Sequence, residues 1–105
     1  MKRPTAWTET EQLAIIAAYS ILLDAQLADA TPPNKAKLKR ETLPRLNSRS
    51  AGSYEFKMCN ISAALADRGA VYVTGYKPRS GYQRSLAELF HTARPDLMPP
   101  KPVTP

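Results

Sequence analysis

At 105 residues the chain has room for one domain, and 43% hydrophobic with 23% charged residues is an ordinary globular composition. Fifteen Lys and Arg against nine Asp and Glu leave a formal charge of +6, which favours nucleic acid first, an acidic protein second and a membrane surface third. Leu13 to Leu23 is too short and interrupted to span a bilayer, the start lacks a signal peptide's apolar stretch, and a lone Cys59 excludes an internal disulfide or a cysteine-based metal site; a cytoplasmic protein is expected.

Residues 1–6 read as a short basic tail. Thr8 then opens a helix as its N-cap, with Glu11 three residues on completing a capping box. Leu13, Ile15, Ile16, Tyr19, Leu22, Leu23 and Leu27 follow at helical spacing and cover most of the circumference, which predicts a helix central to its core. It should end near Ala30, ahead of Pro32 and Pro33. Asn34 caps a second helix from Lys35 to about Leu43, whose surface is dominated by Lys35, Lys37, Lys39 and Arg40. Pro44 interrupts the chain and Leu46 returns it to the core.

Asn47 to Ser53 is a turn rich in Asn, Ser and Gly. A third helix runs from about Ala51 to Arg68 and closes at Gly69. Its Tyr54, Met58, Ile61 and Leu65 recur at i, i+4, i+7 and i+11, one face of a helix. That assignment puts Ser53, Asn60 and Asp67 on the far side, flanked by Phe56 and Lys57. Ala70 to Tyr76 is dense in β-branched and aromatic residues and predicts the only strand. Lys77 to Gly81 is a basic loop. Ser80 and Gln83 repeat the capping-box pattern and open a fourth helix with Tyr82, Leu86, Leu89, Phe90 and Ala93 as its apolar face. From Pro95 onward five of eleven residues are proline, so residues 1–94 read as the domain and 95–105 as an extended linker or disordered end. The predicted core is Ile16, Leu23, Tyr54, Met58, Ile61, Leu65, Leu86 and Phe90.

Catalysis finds little support. His91 is the only histidine and stands beside Phe90 with no adjacent ligand, and there is no Gly-rich phosphate loop or dinucleotide fingerprint. Glu9 and Glu11 suit the helix dipole better than an acid–base pair. No catalytic residue, metal site or cofactor is therefore expected.

Helix, turn, helix, strand and basic loop, in that order, predict a mainly α, four-helix domain of helix-turn-helix or winged-helix type with one short strand or hairpin. The third helix would enter the major groove of double-stranded DNA and the loop would track phosphates. On that plan the DNA-contacting residues are Lys35, Lys37, Lys39, Arg45 and Arg49, then Ser53, Lys57 and Asn60 of the third helix, and Lys77, Arg79, Tyr82, Gln83 and Arg84. Asn60 can pair bidentately with adenine and Lys57 can reach guanine. Each also has a structural explanation: a Lys-rich face is often merely solvated, and Asn60 can bridge to the following loop. The alternative is a protein-interaction or dimerisation domain with an acidic partner.

Residues 49–61, RSAGSYEFKMCNI, together with Gly75-Tyr76-Lys77-Pro78 and the Tyr82-Gln83 pair, resemble a bacterial module. It is the N-terminal domain found ahead of HNH-type restriction endonucleases and related defence proteins. Trp7, Glu9, Glu11, Tyr19, Asn34 and Lys35 extend the likeness over about residues 7–90. The resemblance implies DNA targeting, with cleavage supplied by a separate C-terminal nuclease domain or partner protein. Pro44 in the second helical segment and the missing nuclease depart from the pattern.

Overall fold

The computed structural model describes residues 7–101, so the basic tail at residues 1–6 lies outside the described residues. Four helices carry the fold: α1 (Glu9–Leu27), α2 (Lys35–Thr42), α3 (Ala51–Asp67) and α4 (Arg84–Ala93). Helix α1 packs against each of the others, and α3 also touches α4. No helix among the described residues is long and apolar enough to cross a membrane.

Local signals set most helix ends. The Thr8 hydroxyl accepts from the Glu11 N–H at 3.1 Å while the Glu11 carboxylate accepts from the Thr8 N–H at 3.0 Å, completing the capping box. Helix α1 stops at Leu27 rather than Ala30, because Asp29 takes φ +53° and the Ala30 N–H turns back to the Ala25 carbonyl. Asn34 caps α2 through the Lys37 N–H. Pro44 then tightens the chain into a 3-10 turn, Leu43–Arg45. Gly69 closes α3 at φ +69°, with the Ala70 N–H on the Leu65 carbonyl and its own on Ala66. That is the left-handed cap glycine adopts without penalty.

All eight predicted core residues are buried. Tyr19 joins them, its ring edge-on to Phe90 at 6.1 Å and its hydroxyl bonded to Ser62 at 2.7 Å. Helix α1 is less uniformly buried than its composition suggests. Leu13, Ile21 and Leu27 are exposed, at 41, 46 and 53%. Helices α2, α3 and α4 and the loop after residue 70 pack on α1 and still leave one side of it to solvent.

Three expectations fail, each through a long-range contact. Residues 70–76 form no strand, and no strand is found among the described residues. Their backbone is satisfied by side chains of α1: the Val73 N–H donates to the Tyr19 hydroxyl at 2.8 Å, and the Gln26 amide bonds Tyr72 and Thr74. Backbone groups paired this way have no need of a second strand, and the chain turns at residues 74–76, where the Tyr76 N–H donates to the Val73 carbonyl. The Ser80–Gln83 box does not form either. Gln83 occupies the N-cap of α4 without a side-chain cap bond, Tyr82 precedes the helix, and the Gln83 side-chain Oε1 accepts from Gln12 and Lys57. The boundary at residue 94 is also misplaced. Leu97 and Met98 are buried in the core, the His91 Nδ1–H donates to the Met98 carbonyl at 2.7 Å, and Arg94 bridges to Asp24.

Candidate nucleic-acid interface

Helix α3 is the most enclosed helix over its second half, since α1, α4 and the loop after residue 70 all pack on it. That enclosure redistributes the predicted contact residues. Asn60 faces inward, 1% exposed, and its Nδ2 donates to the Arg79 carbonyl at 2.6 Å. Nothing of it is left to reach an adenine edge. Lys57 is 7% exposed, with its ammonium 5.0 Å from the centre of the Trp7 ring and 3.4 Å from the Gln83 side-chain oxygen. Burial, reinforced by the nearby Arg49 charge, pushes this ammonium below the usual lysine range. Arg49 itself forks onto Glu11, with Nε and Nη2 at 2.8 and 3.0 Å from the two carboxylate oxygens. These residues belong to an internal polar network and not to an outward recognition face. Asn60→Ala should consequently cost about 1–3 kcal/mol, since it removes a buried side chain and the hydrogen bond that ties the Arg79 carbonyl to α3. An unchanged thermal midpoint would show that the Arg79 carbonyl finds another donor.

Other predicted residues stay at the surface. Lys35, Lys37, Arg45, Lys77, Arg79 and Arg84 are exposed, while Lys39, Ser53, Tyr82 and Gln83 are half-buried. The Ser53 N–H is held by Ser50 as part of the α3 cap, and the Tyr82 hydroxyl donates to Asp67 at 2.8 Å. On α2, helical spacing sends Lys35 and Lys39 to one side and Lys37 with Arg40 to the other.

The side holding Lys35 and Lys39 meets both α3 and the loop. Lys39 pairs with Glu55 of α3 at 3.0 Å. The Lys35 ammonium lies 4.1 Å from the centre of the Tyr76 ring, beside Lys77 in the chain. Gly75 makes room for it, since a Cβ there would come within 3.2 Å of the lysine nitrogen. On the other flank of α3 the Arg79 guanidinium stacks over Phe56 at 4.8 Å. Basic residues some forty positions apart in sequence thus meet at α3 and the loop packed on it, Lys39 on Glu55, Lys35 on Tyr76 and Arg79 on Phe56. Phe56, 45% exposed, is an outward aromatic that was not among the predicted DNA-contacting residues. Its signal was present: it stands 200° from Tyr54, opposite the core face, where a large aromatic ring has no packing role.

A concavity of about 820 Å³ lies between the end of α3, α4 and the tail. It mixes Arg68, Arg84, His91 and Lys101 with Asp67 and Glu88, and no single sign of charge dominates it. Among the described residues no group of three or more His, Cys, Asp or Glu is placed to hold a metal ion. Burial, with the Glu55 charge adding to it, pushes the Cys59 thiol up, the opposite of what a reactive thiolate needs. No protein-family model, curated protein or solved structure matches the chain.

Proposed function

We propose that this chain is a nucleic-acid-binding module, with no catalytic machinery of its own, that serves a domain or partner supplying the chemistry. The observation that carries this reading is the convergence of Lys35 and Lys39 from α2 with Lys77 and Arg79 from the loop around the outward side of α3. Like charges gathered by folding repel one another, and an anionic ligand relieves that repulsion. The net charge of +6 points the same way. The resemblance to modules ahead of HNH-type nucleases suggests that DNA targeting is the role served. A major-groove recognition helix is not part of the proposal, because Asn60 and Lys57 are enclosed.

Changing Lys35, Lys39 and Lys77 together to Gln should lower the slope of log affinity against log salt by about two to three units. The Lys39–Glu55 pair is half-exposed and contributes little to stability, so the variant should melt like the parent. Fluorescence anisotropy over a salt series measures the slope, and an unchanged slope would remove this surface from the reading.

A second reading, a dimerisation module, has the exposed row of α1 in its favour, with Leu13 and Ile21 on its outward side. An apolar interface of that kind responds little to salt and shows in sedimentation without any nucleic acid.

A further inference from the structure

We infer that the ligand of this surface is an unpaired stretch of nucleic acid, with one base stacked on Phe56; the inference rests on the nucleic-acid reading above and names its substrate class. Phe56 leaves nearly half its surface in water, on the flank of α3 opposite Tyr54. The Arg79 guanidinium lies over the ring, Lys39 reaches the neighbouring Glu55, and Lys35 lies over Tyr76, the residue before Lys77. Phosphates need the cations, but a paired base cannot use the ring, because duplex stacking already covers both of its faces. Single strands offer bases with free faces, and grooves that bind them combine cations with stacking aromatics. Glu55, the carboxylate beside Phe56 in the chain, is neutralised by Lys39.

The platform is also held in place before any ligand arrives. The Arg79 N–H donates to the Cys59 carbonyl at 3.0 Å, and the Arg79 carbonyl accepts from Asn60 at 2.6 Å. Both backbone polar groups of Arg79 are thereby fixed to α3, one turn on from Phe56. The guanidinium is set over the ring at little further entropic cost, and a base then extends a stack already begun. Asn60 thus acts as a positioning residue for the platform. Readout of a duplex groove lacks equivalent parts, since the second half of α3 is enclosed and no strand pair exists among the described residues.

The test compares single-stranded DNA, single-stranded RNA and duplex DNA, each about 12 nucleotides long, a length within the range one small domain covers. Anisotropy at fixed salt should show at least one of the single strands bound roughly 10-fold or more tighter than the duplex. Phe56→Ala should weaken that single strand by about 5- to 100-fold and leave the duplex unchanged, while Phe56→Tyr holds affinity and Phe56→Leu does not. The DNA and RNA arms identify which backbone is preferred. Because Phe56 is exposed, all three variants should keep the parent melting temperature, which separates lost stacking from lost fold. Equal loss on single strand and duplex, or no loss on either, overturns the stacking inference while salt-dependent binding keeps the broader reading intact. Absence of salt-dependent binding to any of the three overturns both.

Discussion

Replacing Arg49 by Met should destabilise the protein by about 3–5 kcal/mol at neutral pH, the usual cost of removing one partner of a buried ion pair. Glu11 is 1% exposed, and both of its oxygens receive Arg49 donors, one of them also accepting the Thr8 N–H. Taking away the guanidinium leaves a carboxylate in a buried site with Lys57, whose charge Glu11 feels, as a remaining cation. The loss should depend on pH, and the sign follows from the pairing. Arg49 holds the Glu11 carboxyl below its ordinary value of 4.5, chiefly by hydrogen bonding. A group depressed in the folded state contributes stability above its unfolded pKa and loses it as pH falls through the folded value. In the variant the unpaired carboxyl is raised instead, so protonation relieves it. The gap between parent and variant should therefore narrow as pH falls from 7 to about 4. Glu11→Gln combined with Arg49→Met should recover much of the loss, because an amide keeps the cap bond and carries no charge. Urea unfolding of all three proteins at both pH values measures this. A cost below about 1 kcal/mol that does not change with pH would mean that solvent reaches Glu11 and the pair acts as a surface bridge.

The pair also shows what was legible in the sequence. Glu11 was readable as half of a capping box because its partner Thr8 is three residues away. The same holds for Asn34 and Gly69, and for the Tyr54-to-Leu65 face of α3, since each rests on contacts within a turn or on one helix. Arg49 to Glu11 spans 38 residues, Asn60 to Arg79 spans 19, and Lys57 to Gln83 spans 26. No spacing rule reaches that far. A helical wheel places Asn60 opposite Met58 and so outward, but the wheel does not contain the loop that folds over it. The residues 70–76 illustrate the same limit. Their composition favours a strand, but whether such a chain becomes one depends on a neighbour, and here Tyr19 and Gln26 supply the partners while residues 74–76 turn. Polar residues with strong hydrogen-bonding capacity proved the most misleading, because burial converts the same donors from ligand contacts into internal ties.

Met98→Ala should cost about 2–5 kcal/mol, although it lies in a segment whose proline content reads as a linker. Met98 is fully buried, and Leu97 beside it is nearly so. Three ties turn the chain back onto the helices. The Met98 and Leu97 N–H groups both donate to the Arg94 carbonyl, and the Met98 carbonyl accepts from His91. Arg94 also grips Asp24 with two bonds, at 2.8 and 2.9 Å, but that pair is partly exposed and adds little by itself. The methionine side chain must therefore supply most of what holds the segment down. Proline density does not prevent this: Pro95 restricts the turn that follows Arg94, and the residues between the prolines carry the apolar surface. Alanine keeps the backbone ties and removes only the packing, so the measured loss isolates the buried side chain and its cavity. Pro100→Ala, at an exposed position two residues on, should change stability by no more than about 0.5 kcal/mol. Ending the chain after Arg94 removes Leu97, Met98 and the His91 bond together, and should lower the thermal midpoint by more than Met98→Ala does. A midpoint unmoved by either change would return residues 95 onward to the role of a linker and leave α4 packed by Leu86 and Phe90 alone.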